Sequence, residues 1–330
     1  MGSESFDVGL SGEWQGYDVI GDVHGCAETL ERLLHKLGYR QGPSGYYHHT
    51  RQAIFVGDII DRGPRIREAL QLVHAMVTAG AARMVLGNHE FNALAYCTPK
   101  AGGTAGAPVE YLRPHTPRNS RQLAETLEQF ADYLDEWNAY LAWFRRQPLF
   151  LEWPEFRVVH ACWDAELIAR HRARFGDGRF DDAFLQETAV PGSDAARIKQ
   201  RLTSGVDLPL PKGMTIVSSD GVERTHFRTK FWAPDAQTYE ELLFQPDPLP
   251  EGFGQQRIRP EHRQRMVTYG ADEKPVFVGH YWLKGHPEPI APNIGCLDYS
   301  AVKFGRLVAY RFDGEAQLKP EKFVWAYVDP

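Results

Sequence analysis

The sequence predicts an α/β protein whose chemistry lies along one edge of a sheet. Three observations predict it. Strand and helix patterns alternate through residues 17–90, polar residues sit at the carboxyl end of each of those strands, and two later apolar runs each end in a histidine. Ligands of α/β sheets gather at strand carboxyl ends, so the polar clusters mark the site.

Tyr17–Ile20 reads as the first strand and closes on Gly21-Asp22-Val23-His24-Gly25. Residues two apart on extended backbone face the same side, so Asp22 and His24 can grip one ion together. A helix follows over Glu28–Leu37, where Leu30, Leu33, Leu34 and Leu37 make one stripe and Gly38 suits the position past its end. Residues 39–52, with Gly, Pro and Tyr-Tyr-His-His, read as a hairpin or loop. Ala53–Val56 is a buried strand, stopped by Gly57 and followed at once by Asp58. A carboxylate there is costly to bury unless something positive meets it. A metal ion meets that need, and the two oxygens of Asp58 can bridge a pair. Asp61, Arg62 and Gly63 form a turn, and Pro64 is placed as the first residue of a helix over Pro64–Ala79. Its apolar face is Ile66, Ala69, Leu70, Val73, Met76 and Val77. Arg83–Leu86 is the third strand and ends in Gly87-Asn88-His89-Glu90.

Beyond Cys97 the character changes. Residues 98–118 read as a loop, and Asn119–Arg146 as a long helix or helix pair. Leu123, Leu127, Phe130, Leu134, Trp137, Leu141 and Phe144 alternate four and three apart, as in a coiled-coil seam. The seam is expected to pack on its own subunit, with a dimer contact as the alternative. Arg157–Val159 returns to strand and delivers His160-Ala161-Cys162-Trp163-Asp164. No pattern stands out in residues 165–270, which read as an irregular insertion shaping a substrate pocket. Pro275–Val278 ends in Gly279-His280-Tyr281-Trp282, and Gly295–Ser300 with Arg306–Phe312 suggests a closing antiparallel pair. The expectation is one domain over 1–330, with a helical insertion at about 98–149 and the irregular one at about 165–270.

Composition narrows the function. Of 330 residues 43% are hydrophobic and 24% charged, ordinary for a soluble globular chain, and a net charge of −6 argues against a nucleic-acid surface. Cys26, Cys97, Cys162 and Cys296 form no Cys-x-x-Cys pair and read as reduced thiols. The start lacks the basic and apolar regions of a signal peptide, and no apolar run reaches spanning length. A cytoplasmic protein without membrane partners is expected.

The strand ends together present Asp22, His24, Asp58, Asn88, His89, His160 and His280. Oxygen and imidazole donors without thiolate suit Mn, Fe or Zn better than Ca. Their number fits two ions about 3.5–4 Å apart, the pair that clamps a phosphoryl group. Adjacency assigns Asp22, His24 and Asp58 to one ion, and Asp58, Asn88, His160 and His280 to the other.

Gly-Asp-x-His-Gly at 21–25, Gly-Asp-x-x-Asp-Arg-Gly at 57–63 and Gly-Asn-His-Glu at 87–90 resemble the three signatures of calcineurin-like metallophosphoesterases. The Asp-Arg-Gly ending resembles the phosphoprotein phosphatase branch, which also holds bacterial diadenosine tetraphosphatases. The resemblance covers about 1–96, 155–165 and 275–312. It implies an αββα sandwich with two central mixed β-sheets, two divalent ions with Mn2+ ahead of Fe or Zn, and in-line attack by a metal-bridging hydroxide. In the roles it implies, His89 is the general acid, Asp61 orients it and Arg62 holds phosphate oxygens. Each role makes chemical sense, since imidazole donates a proton near neutrality and a guanidinium fork matches phosphate. Arg224, Arg228, Tyr281 and Trp282 are further candidates for substrate contacts.

The substrate expected first is a phosphate monoester, of the phosphoserine or phosphothreonine type or a small phosphorylated molecule, with dinucleoside polyphosphates as the alternative. The closing Gly-Cys-Leu-Asp-Tyr-Ser…Gly-Arg-Leu-Val-Ala-Tyr-Arg resembles the tetraphosphatases. A metal-binding scaffold without turnover is disfavoured by the intact Asp61, Arg62 and His89.

Overall fold

The computed structural model describes residues 14–102, 108–217, 223–244 and 249–328. Two mixed sheets face each other, and helices cover their outer sides. In the first sheet β1 (Gly16–Ile20) leads to α1 (Ala27–Leu37), a small hairpin of β2 (Arg40–Gly42) and β3 (Gly45–Tyr47), then β4 (Arg51–Phe55), α2 (Ile66–Thr78) and β5 (Ala82–Met84). Strands β1, β4 and β5 run parallel, so Asp22, Asp58 and Asn88 emerge at the same edge. Next come α3 (Asn88–Cys97), α4 (Pro117–Gln129) and α5 (Leu134–Phe144). The second sheet begins with the antiparallel β6 (Phe150–Glu152) and β7 (Arg157–Val159).

Helices α6 (Ala165–Phe175), α7 (Asp182–Glu187) and α8 (Asp194–Ser204) follow. Short ribbons β8 (Asp207–Pro209), β9 (Ile216–Val217), β10 (Glu223–Arg224) and β11 (His226–Arg228) come before the single turns α9 (Tyr239–Leu242) and α10 (Pro260–Arg263). Strands β12 (Val276–Val278) and β13 (Ile294–Cys296) complete the second sheet in parallel, with β12 also parallel to β7. Strands β14 (Asp298–Tyr299), β15 (Arg306–Phe312) and β16 (Phe323–Tyr327) return to the first sheet.

The interior between the sheets is apolar. Val19, Ile54 and Val85 of the first meet Phe156, Val158 and Phe277 of the second, with Phe156 and Phe312 rings 4.7 Å apart. Burial on both faces accounts for the apolar runs Val19–Ile20 and Ala53–Val56, while the buried Asp18 near the start of β1 is met by Arg51 of β4. On the outer sides α1 lies against β15 and β16, and α6 rests on β6 through His171 against Phe150. Four layers result, helix–sheet–sheet–helix.

The structure departs from the sequence expectations in four places. Helix α2 starts at Ile66, not Pro64, because residues 61–65 are consumed by a turn: Arg65 N–H donates to Gly25 O, and Ile66 N–H to Gln129 Oε1. Gly295–Ser300 is not one strand of a hairpin. It crosses between sheets, with β13 parallel to β12 and β14 antiparallel to β15. Residues 165–270 are not irregular throughout, since α6, α7 and α8 are each capped by a side chain, Asp164, Asp181 and Ser193, that accepts from the third residue on. Finally the seam holds for Leu123, Phe130, Trp137 and Phe144, while Leu134 is 63% exposed, because the turn between α4 and α5 resets the helical phase there.

A charge knot joins the layers of the second sheet. The Glu152 carboxylate on β6 receives Arg157 of β7 at 2.9 Å, Arg172 of α6 at 2.5 Å and Lys274 at 3.0 Å. Burial alone would raise this carboxyl, but the three cations win and hold it down at about 2. A depressed folded value means stability that is present above the unfolded value and lost as pH falls. Melting temperature should therefore drop from about pH 4.5 to pH 2, and Glu152→Gln should flatten that part of the thermal-denaturation profile.

Candidate metal centre

The site is built on a strained turn. Gly57 has φ 99°, and Asp58, Asp61 and Arg62 have φ of 52°, 68° and 69°, a region that non-glycine residues rarely occupy. The buried Glu90 carboxylate holds the turn by accepting Asp58 N–H at 2.8 Å, Ile59 N–H at 2.7 Å and Ile60 N–H at 3.3 Å. It also takes Gly87 N–H at 3.0 Å, reaching back over the first turn of α3. A side chain at 87 would collide with the turn, since its Cβ would stand 2.0 Å from Asp58 Oδ1. Burial, and then the Asp58 charge, push Glu90 upward, while the backbone donors pull it back. Removing two acceptor positions should cost about 1–3 kcal/mol. Glu90→Gln should accordingly lower the urea midpoint of the metal-free protein, with circular dichroism of the folded state unchanged.

Asp58 is the hub. Its Oδ2 lies 3.7 Å from His24 Nε2, 3.9 Å from His89 Nε2 and 3.3 Å from His160 Nε2. Two buried groups share it: His24, Asp58 and His89, and Asp58, His160 and His280, each with ligand atoms within 4.8 Å of one another. His24 Nδ1 donates to Ile60 O at 2.8 Å, and His160 Nδ1 to Val56 O at 2.7 Å. Those bonds fix each ring with Nε2 turned toward Asp58, the orientation that metal-binding imidazoles adopt. His280 Nε2 is buried without a hydrogen-bond partner, and Asn88 Oδ1 lies 3.3 Å from His160 Nε2. This donor set, with an orphaned imidazole nitrogen, fits a borderline divalent cation. Asp22 stands outside both tight groups, and its oxygens accept His280 N–H at 3.1 and 3.4 Å.

The electrostatics of the cluster are divided, since burial would lower His160 but the Asp58 and Asp22 carboxylates hold it up at about 10. Burial would raise Asp58, but His160, His89 and His24 outweigh it and keep the carboxylate ionised. Burial, followed by neighbouring positive groups, pushes His24 and His280 well down, as neutral ligands require. Asp22 is pushed up by burial and by Asp298.

His89 Nδ1 pairs with Asp61 Oδ2 at 2.5 Å, and Asp61 Oδ1 accepts Thr126 Oγ1–H at 2.5 Å. Thr126 Oγ1 in turn accepts Asp61 N–H, and Gln129 Nε2 donates to Gly63 O at 3.1 Å. Helix α4 therefore braces the turn from the side. Sequence reasoning missed Thr126 and Gln129, because nothing in a polar helix face marks two residues that reach another element. Glu90 had a signal, its place three residues after the helix-capping Gly87.

The calcineurin-like phosphoesterase profile matches residues 17–187, just over half of the chain. The chain belongs to the calcineurin-like phosphoesterase family. It is thus a hydrolase of phosphoric esters, and the family implies divalent metal ions. A symmetrical bis(5'-nucleosyl)-tetraphosphatase of Chromohalobacter salexigens is 30% identical over 91% of this chain and 96% of that protein. An asymmetrical bis(5'-nucleosyl)-tetraphosphatase of Oceanobacillus iheyensis is 53% identical over 74 residues, 22% of this chain and only 29% of that protein. A solved Saccharomyces cerevisiae serine/threonine phosphatase with similarity to human PP5 gives a TM-score of 0.45 at 14% identity, covering 96% of this chain and 80% of that one. That last likeness is too coarse to bear on substrate.

Around the Asp and His cluster of this calcineurin-like phosphoesterase the other candidates separate. Arg62 is exposed, its Nη1 lies 3.4 Å from His24 Nε2, and its guanidinium lies 4.8 Å from the Trp282 ring. Lys303 Nζ is 4.2 Å from the same ring, so Trp282 gathers two cations beside the cluster. Tyr281 does not line the cleft: it is fully buried against Phe231, Trp232 and Phe244. Arg228, on β11, lies 4.0 Å from Asp207 and presses on His280, whereas Arg224, on β10, acts on Asp207. The 165–270 segment does help to form a cavity of about 700 Å³, between α6 and α8, but it shares no lining residue with the cluster.

Proposed function

We propose that this phosphoesterase is a dinuclear enzyme that hydrolyses dinucleoside polyphosphates of the diadenosine tetraphosphate type. The observation that carries the substrate is the near full-length match to a symmetrical tetraphosphatase. Phosphate monoesters are the competing reading, and the relatives favour the nucleotide over them. Asp22, His24 and Asp58 would hold one cation, and Asp58, Asn88, His160 and His280 the other. Two divalent ions, with Mn2+ the first choice, would supply Lewis acidity and a hydroxide nucleophile at neutral pH.

The chain's own residues then divide the work. Arg62, exposed beside His24, would take phosphate oxygens as a planar fork. His89 would donate its Nε2 proton to the leaving oxygen as the phosphorus–oxygen bond breaks. Asp61, pinned by Thr126, keeps Nδ1 protonated and the ring aimed. In a symmetrical cleavage water adds to one inner phosphorus and the two products are both nucleoside diphosphates. The protein is proposed to work in the cytoplasm.

The substrate is tested with Mn2+-loaded protein on diadenosine tetraphosphate, phosphopeptides, p-nitrophenyl phosphate and 2′,3′-cyclic nucleotides, with products separated by chromatography. Two ADP as the dominant products, with the highest kcat/KM, support the proposal. A phosphopeptide preference overturns it.

The general acid is tested separately. Loss of a positioned acid costs about 10²–10⁴-fold, and less when the leaving group is a weak base. His89→Asn should lose most activity on alkyl phosphates and clearly less on p-nitrophenyl phosphate. Thr126→Val should show the same dependence in milder form, because it frees Asp61 rather than removing the acid. Equal losses on both substrates at unchanged metal content would refute the role of His89.

A further inference from the structure

Lys303 stands beside the cluster and takes no part in the proposed metal or acid chemistry. It closes a short helical turn, Ala301–Lys303, between β14 and β15, and its side chain is exposed. Its Nζ lies 4.2 Å from the centre of the Trp282 ring, and the Arg62 guanidinium lies 4.8 Å from the same ring. Arg62 Nη1 is in turn 3.4 Å from His24 Nε2, so one aromatic ring links Lys303 to the cluster. Among the described residues neither Lys303 nor Arg62 has a carboxylate partner. The turn that carries Lys303 is firmly held. Leu283 N–H donates to Asp298 O at 3.0 Å, which fastens the Trp282 loop to β14. Lys303 N–H and Gly305 N–H both donate to Ser300 O, at 2.9 and 3.2 Å. Position 305 needs glycine, since a Cβ there would stand 2.2 Å from Tyr299 O. Ser300 and Phe304, at the two ends of the turn, both have φ 56°, which non-glycine residues rarely adopt. The other described non-glycine residues with positive φ all belong to the cluster and its turn.

An aromatic ring attracts a cation, yet two cations gathered at one ring repel each other. A multiply charged anion that reaches both removes the repulsion. A single phosphoryl group held by Arg62 leaves Lys303 unmet. We infer that Lys303 binds a second phosphate of the substrate, beyond the one Arg62 holds, and so distinguishes a phosphate chain from a phosphate monoester. This rests on the proposed polyphosphate substrate and names the residue that would recognise it. An ammonium suits the task, because a point charge on a flexible stem can follow a phosphate chain without a fixed fork.

The test uses the full chain at fixed free Mn2+, as native protein, Lys303→Met and Lys303→Arg, with thermal denaturation to check that all three fold alike. It reads kcat and KM for diadenosine tetraphosphate and for p-nitrophenyl phosphate. It also reads inhibition of p-nitrophenyl phosphate hydrolysis by tripolyphosphate and by orthophosphate. Lys303→Met should raise KM for diadenosine tetraphosphate and the inhibition constant of tripolyphosphate about tenfold, the loss of one charge-assisted contact. KM for p-nitrophenyl phosphate and inhibition by orthophosphate should change by less than about twofold. Lys303→Arg should restore both polyphosphate constants. Unchanged tripolyphosphate inhibition in Lys303→Met overturns the inference. So does an equal loss on p-nitrophenyl phosphate and the polyphosphates, the mark of a general effect on the cluster. A native protein that makes no ADP from diadenosine tetraphosphate, while Lys303→Met still weakens tripolyphosphate inhibition, overturns the substrate reading and leaves Lys303 as the phosphate-chain contact.

Discussion

Four backbone N–H groups converge on the Glu90 carboxylate, and the geometry of the centre depends on them. Asp58 and Asp61 occupy left-handed conformations that an isolated chain would avoid at a cost of about 1–3 kcal/mol each. Glu90 offsets that cost by tying the end of β4 to the start of α3. The same contact sets the spacing of Asp58 and His89, since His89 N–H donates to Asp58 Oδ1 at 2.9 Å. The Asp58 carboxylate and the His89 imidazole are thus placed by one backbone knot rather than by separate loops.

Around that knot the protein concentrates unfavourable things. Of the non-glycine residues with positive φ among the described ones, His24, Asp58, Asp61, Arg62 and His280 all belong to the site. Several carboxyls and imidazoles are withdrawn from water there, some pushed up and some down. Such crowding is tolerable because the two apolar sheets on either side are closely packed and the strands are fixed by parallel pairing. The fold holds the groups in place, and divalent cations would neutralise them.

Much of this was legible in the sequence, and the reason is local. Strand, glycine and acid follow one another within a few residues at Asp22, Asp58 and Asn88, so neighbouring positions already define the motif. His160 and His280 were legible because each closes an apolar run. The obscure parts depend on contacts distant in sequence. Thr126 reaches Asp61 across 65 residues, and nothing near either one announces it. Tyr281 adjoins a site histidine but turns into an aromatic cluster made by residues 231–244, which sequence adjacency cannot foresee. Helices α6, α7 and α8 were hidden for a different reason: their apolar faces are short, and their signal lay in the capping Asp164, Asp181 and Ser193.

Thr126 and Gln129 are one turn apart on α4 and both touch the turn at residues 61–66. A helix drawn from an insertion would ordinarily be free to drift, provided that its inward face stayed greasy. Here two polar positions are tied to Asp61 and Gly63 while their solvent-facing neighbours are not. Among relatives whose inserted segments share no overall similarity, a Thr-x-x-Gln pair at this point would be the trace of common descent, and exchanging the segment wholesale would loosen the Asp61–His89 pair even where the Asp58 cluster stayed put.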